Sequence, residues 1–222
     1  MNLDLLTELK EAGVKLVAVS KTVAEEAILD LYHEGQLDFG ENKVQELVRK
    51  YENLPKDIKW HMIGHLQKNK VKYIAGFVQM IHSVESFELL EVIQKEAQKQ
   101  DRIIDVLLEV RIAREETKYG LDKSGLYSLL DQYIKGDFHH VRICGLMGMA
   151  SFTDDEAIIH QEFGLLSEYF IDIKSAYFPF AYYFNEISMG MSSDYNIAIQ
   201  HGSTIVRIGS LIFGARNYGI SV

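Results

Sequence analysis

Short apolar runs alternate along this chain with longer segments whose apolar positions recur every three or four residues. Leu16–Ser20, Leu37–Gly40, Trp60–Gly64, Val78–His82, Ile103–Ile112, Val141–Met149, Tyr183–Ser188 and Thr204–Ile208 read as strands. Between them, Val23–Glu34, Lys43–Asn53, Gln67–Ala75, Phe87–Gln100, Lys123–Lys135, Asp155–Ser175 and Asp194–Gln200 carry helical periodicity, and amphipathic Leu3–Ala12 precedes the first strand. Such alternation pairs strands in parallel through crossover helices. The pattern predicts an α/β fold, a single (β/α)8 TIM barrel with residues 1–222 as one domain. A doubly wound open sheet is the competing arrangement, but no G-x-G-x-x-G turn follows the first strand. Little chain follows Ser210, so the helix after the last strand is expected to be short, with Leu3–Ala12 covering that part of the barrel.

Composition narrows the function. Of 222 residues, 47% are hydrophobic and 25% charged, a globular mix. The net charge of -9 argues against a nucleic-acid partner, which requires a basic face, but leaves room for a small anion in a local pocket. Cys144 is the single cysteine, so an internal disulfide and a Cys-rich metal site are excluded, and its apolar neighbours mark it as core. The acidic, amphipathic N-terminus does not read as a signal peptide, and no apolar stretch approaches the ~18 residues needed to span a bilayer. The expectation is a cytoplasmic protein with no membrane partner.

The candidate chemistry starts at Lys21, which directly follows the first apolar strand. A Lys held at a strand's C-terminal end and partly desolvated has a lowered pKa, and its neutral amine attacks carbonyls to form a Schiff base. A snorkelling surface Lys is the plainer alternative. In such barrels a phosphate site commonly forms from the loops after strands seven and eight. Ser188, Gly190, Ser192 and Ser193 cluster after the seventh strand, and Gly209 and Ser210 after the eighth. Small residues let backbone amides approach a phosphate. Arg207 alternates with Val206 and Ile208, so it points into the barrel mouth if they face the helices. There its donor-only guanidinium suits a ring nitrogen, or else pairs with Glu109 or Glu186. Asn42 is an expected helix N-cap. The His61 and His65 pair spans a strand and a Gly turn rather than one helix face, which disfavours zinc, and no metal is expected. Lys68, Lys70 and Lys72 read as a solvated helix face.

The segments V-S-K-T (19–22), F-G-E-N-K-V-Q-E (39–46), W-H-M-I-G-H-L-Q-K-N-K (60–70), H-S-V-E-S (82–86), G-L-M-G-M (145–149), S-M-G-M-S-S-D (188–194) and G-S-T-I-V-R-I-G-S-L-I-F-G-A-R (202–216) occur in order. Together they resemble the YggS/PROSC family of pyridoxal phosphate homeostasis proteins over almost the whole chain. The resemblance implies an alanine-racemase-like barrel, the fold type III arrangement of pyridoxal 5'-phosphate (PLP) proteins. It implies that Lys21 carries PLP as a Schiff base. Ser188, Gly209 and Ser210 would hold the phosphate with Met189 and Gly190 beside it, Arg207 would face the pyridine nitrogen, and Asn42 and Met149 would line the ring. Lys118 falls near the place where racemase relatives carry an Arg close to the cofactor hydroxyl. An Arg partner leaves the ring nitrogen unprotonated and the ring a weaker electron sink. Where the family usually has a Pro after the lysine, this chain reads T-V-A-E-E-A (22–27), and the fifth-strand motif is unusually charged at Arg111 and Arg114.

The function expected from this is PLP binding and carriage in intracellular PLP homeostasis, without robust turnover. Racemases of this fold carry a second base, a Tyr, on a C-terminal β domain, and the chain ends at Val222 soon after the last barrel motif. No catalytic residue is therefore assigned, and a monomer is expected. Expected partners are PLP, amino acids and PLP-dependent apo-enzymes. The alternative is a small amino acid racemase or lyase using Lys21, with Tyr119 or His65 as second group. A phosphate-binding barrel without PLP is a third reading.

Overall fold

The computed structural model describes residues 3–113 and 119–214. Among them, β1 (Lys15–Val19), β2 (Asp38–Glu41), β3 (Lys59–Met62), β4 (Met80–Val84), β5 (Ile104–Val110), β6 (Val141–Gly148), β7 (Glu186–Ser188) and β8 (Ile205–Ile208) form one closed parallel barrel in chain order. The barrel closes through β1 and β8, with Val17 opposite Arg207 and Ala18 opposite Ile208. Around it lie α1 (Leu3–Glu11), α2 (Glu25–His33), α3 (Val44–Asn53), α4 (Phe87–Lys99), α5 (Lys123–Lys135), α6 (Glu156–Tyr177), α7 (Tyr195–Gln200) and α8 (Ser210–Phe213).

Strand alternation splits the core in two. Ala18, Phe39, Trp60, Ile81, Val106 and Ile143 pack outward into the layer between barrel and helices. Val17, Met80, Leu107, Cys144, Met147 and Ile205 pack together inside the barrel. Val206 and Ile208 face outward against Leu5 and Leu9 of α1, which places Arg207 in the interior. Helix α1 thus covers β1 and β8, where α8, of four residues, is too short to do so. A bulge in β6 preserves the inward set: the register slips between Val106 and Leu107 of β5, so Cys144 and Met147 both point inward. Gly145 makes this possible, because a Cβ there would lie 1.8 Å from the Glu186 carbonyl oxygen.

Three expectations change. The Gln67–Ala75 segment is a 3-10 turn over Lys68–Tyr73, with no side-chain cap at Gln67. Only the six residues Lys68–Tyr73 of the β3–β4 connection form this turn, too few for a stable α-helix, and Val71 alone of them is buried. Lys68 and Lys72 are exposed, as a solvated face requires, while Lys70 is half-buried. The α3 N-cap is Lys43, not Asn42, and it carries no side-chain cap bond. Asn42 is tied to close packing instead: a Cβ on Gly64 would come within 2.5 Å of its carbonyl oxygen. Finally, β7 is only Glu186–Ser188, because Asn185 N–H is drawn to the carbonyls of Tyr183 and Cys144, a turn into the strand.

Candidate functional site

Lys21 sits on the turn after β1, half-buried, at the C-terminal face of the barrel. The residues on either side of it are fixed. Ser20 N–H donates to the Gly40 carbonyl at 3.0 Å. Thr22 N–H donates to Glu46 Oε1 at 2.8 Å, and Thr22 holds φ +63, a left-handed conformation that costs a β-branched residue energy. Beneath the turn, Lys50 Nζ donates to Ser20 O at 2.6 Å and to Glu41 Oε1 and Glu46 Oε1 at 2.8 Å each. These three acceptors match the three donors of an ammonium, which allows Lys50 to be fully buried. Burial pushes the Glu41 carboxyl up, against the pull of Lys50 and of the Ser20 hydroxyl, which donates to Glu41 Oε1 at 2.7 Å. Sequence reasoning missed this support. The i,i+4 spacing of Glu46 and Lys50 was visible, but such a spacing ordinarily marks a surface pair.

Arg207 lies inside the barrel, 4% exposed. Its Nη1 donates to Ser188 O at 2.8 Å and Ser188 Oγ at 2.7 Å, and its Nη2 to Gly148 O at 3.1 Å. Three of its five N–H groups are thereby engaged, and among the described residues the remaining two have no acceptor. Burial pulls the guanidinium down to about 10, with Glu109 and Asp194 opposing, so it is cationic at neutral pH. Neither carboxylate expected as a partner hydrogen-bonds it. Glu186 lies at the far end, held by Lys15 Nζ at 3.0 Å and the Thr204 hydroxyl at 2.6 Å. Glu109 acts through space: burial and then Glu85 push its carboxyl up to about 7, while Arg207 pulls the other way.

The contacts continue below Arg207. Ser188 Oγ meets His82 Nδ1 at 3.0 Å, His82 Nε2 meets His61 Nδ1 at 2.9 Å, and His61 Nε2 meets Asp38 Oδ1 at 2.9 Å. His61 and His82 are buried, and burial, then His61, Arg207 and Lys15, hold His82 well below the usual imidazole range. His65 is separate: it is exposed, pairs with Glu85 at 2.8 Å and stacks on exposed Tyr119 at 4.6 Å.

Strand order brings the other expected residues to the same rim. Asn42 follows β2, the neighbour of β1, and its buried Oδ1 lacks a partner among the described residues. Met149 follows β6 and packs on the interior cluster. Met189 is fully buried with its side chain in the outer core, so it offers the rim its backbone alone. Gly190 holds φ +97, and a Cβ there would lie 2.7 Å from Ala198 Cβ. Gly209 sits against Val19, where a Cβ would be 3.1 Å from the strand carbonyl just before the Lys21 turn. Ser210 opens α8, whose first amides have no partner within the helix. The Ser188 hydroxyl faces His82 and Arg207, below the rim. Lys118 and Arg114 lie outside the described residues. No helix among the described residues is long and apolar enough to cross a membrane.

The family described as "Alanine racemase, N-terminal domain" matches residues 1–217. A pyridoxal phosphate homeostasis protein of Aquifex aeolicus is 40% identical over 94% of this chain and 90% of that protein. The structure of PipY from Synechococcus elongatus without PLP superposes with a TM-score of 0.86 at 33% identity, covering 95% of this chain and 99% of PipY. The PLP-bound form of PipY gives 0.84. Alanine racemase from Bartonella henselae shares the fold, with a TM-score of 0.69 at 16% identity over 95% of this chain and 57% of the racemase.

Proposed function

The chain belongs to the alanine racemase N-terminal domain family and, within it, to the pyridoxal phosphate homeostasis proteins; on that premise we propose that it binds PLP covalently on Lys21 and serves to hold and release it. One observation carries this reading: the rim sets a strand-end lysine beside the Gly209 turn, with the Gly190 turn after β7, and above a buried arginine with two N–H groups unengaged among the described residues. A cofactor with an aldehyde, a phosphate and a ring nitrogen matches that set. The backbone amides of the Gly190 and Gly209–Ser210 turns suit the phosphate. Asn42 and Met149 suit the ring faces, and an Arg207 N–H suits the ring nitrogen. The Ser188 hydroxyl, already bonded to Arg207, serves the ring end from below.

When bound, PLP would supply an electron sink for carbanion chemistry, a weak one if Arg207 donates to the ring nitrogen rather than protonating it. Arg207 would orient the ring, and the Lys50–Glu46 clamp holds the Lys21 turn. The same reading makes the protein a cytoplasmic monomer whose partners are amino acids and PLP-dependent apo-enzymes. The test is a visible absorbance spectrum after PLP addition. Wild type is expected to develop a band that Lys21→Ala abolishes, and its absence in wild type would sink the proposal. Racemisation of any amino acid at roughly 1 per second or faster would replace holding with catalysis as the main task. Light scattering checks the monomer.

A further inference from the structure

The side chains of half-buried Asp38 and buried His61, His82 and Ser188 form an unbroken chain that ends on Arg207. Its members come from β2, β3, β4, β7 and β8, so it crosses the barrel interior rather than following one strand. Surface chemistry does not account for it: His61 and His82 are at most 1% exposed. Burying two imidazoles is costly unless each is satisfied, and here both nitrogens of each are.

With His61 neutral, the ends fix the direction of every bond. An ionised carboxylate only accepts, and a guanidinium only donates. Burial raises the Asp38 carboxyl, but His61, by its bond and through space, and then Lys59 and Lys15 outweigh it, so Asp38 is ionised at neutral pH. His61 then donates from Nε2 to Asp38, which leaves its Nδ1 as acceptor. His82 donates from Nε2 to that Nδ1, which leaves its own Nδ1 to accept from the Ser188 hydroxyl. The Ser188 oxygen is thereby turned, lone pairs outward, to Arg207 Nη1. Reversing the chain would require a second proton on His61 or a donor at Asp38, so with His61 neutral it is a one-way lock rather than a proton wire. The nearby charges are Lys15 and Lys59 at the Asp38 end and Glu109 and Asp194 around Arg207.

We propose that Asp38, His61 and His82 are positioning residues that lock the Ser188 hydroxyl, and through it the Arg207 guanidinium, in the orientation that meets the ring nitrogen of PLP. The proposal rests on the PLP reading for its ligand, but the lock itself can be read without it. Nitrogen NMR of labelled histidines in the protein without PLP should show His61 and His82 as neutral Nε2–H forms, assigned from His61→Gln and His82→Gln. A proton on His82 Nδ1 would overturn the lock whatever PLP does. Asp38→Leu, which removes the terminal acceptor, should weaken PLP binding on the order of threefold to tenfold. It should also shift the position or pH titration of the visible band. Asp38→Asn keeps an acceptor oxygen and should retain most of the affinity and the wild-type spectrum. Equal affinity and spectra in all three proteins, or an Asn variant as impaired as the Leu one, would overturn the proposal. A wild type with no visible band would instead overturn the PLP reading and leave the NMR result standing. Thermal melts identify any variant that has not folded.

Discussion

Two buried titratable groups define what single residues contribute. Glu109 is an inward carboxyl on β5 raised to about 7. Its folded pKa exceeds the ordinary value of 4.5, so the native state binds its proton more tightly than the unfolded state. Stability from this group is full below pH 4.5 and is lost as pH rises toward about 7. Glu109→Gln should therefore melt higher than wild type at pH 8 and nearly with it at pH 4.5, read by thermal denaturation across pH. Cys144 points into the barrel interior, where burial and then Asp105 push its thiol up to about 12. With so little thiolate, it should resist alkylation in the folded protein and react on unfolding, read by mass spectrometry with and without denaturant. Its core placement was legible from V-R-I-C-G-L-M (141–147), but the bulge that turns it inward was not.

At the scale of elements, the β1 turn and α3 act as a unit. Lys50 neutralises buried Glu41 while holding the carbonyl next to Lys21. Lys50→Met strands that carboxylate and should cost about 3–5 kcal/mol in urea denaturation, as breaking a buried pair does. Adding Glu41→Leu should recover much of the loss, since the burial penalty then disappears. The β7–α7 turn depends on Gly190. Gly190→Ala forces a side chain into φ +97 and against Ala198, and should destabilise by about 1–3 kcal/mol and weaken PLP binding. Element types followed the sequence closely, and α5 matches its expected span, Lys123–Lys135. The 3-10 turn differed because periodicity reports which positions are buried, not which hydrogen-bond ladder the backbone takes.

Across the whole molecule, closure of the barrel gives these residues their meaning. Residues 21, 42, 190, 207 and 209 are far apart in sequence, yet they meet because β8 returns beside β1. Sequence alone determined the parallel α/β pattern, the eight strands, the inward face of Arg207 and the small-residue turns. Hydrophobic period and turn chemistry are local, so a linear chain displays them. Resemblance extended this to PLP. Only the tertiary structure decided that Lys50 is buried beneath the Lys21 turn, that Ser188 faces Arg207 and His82, and that Asp38, His61 and His82 are joined. Those facts depend on cross-barrel register, set by strand closure and by the β6 bulge. A polar residue in a short strand carries no local mark of the partner that will satisfy it.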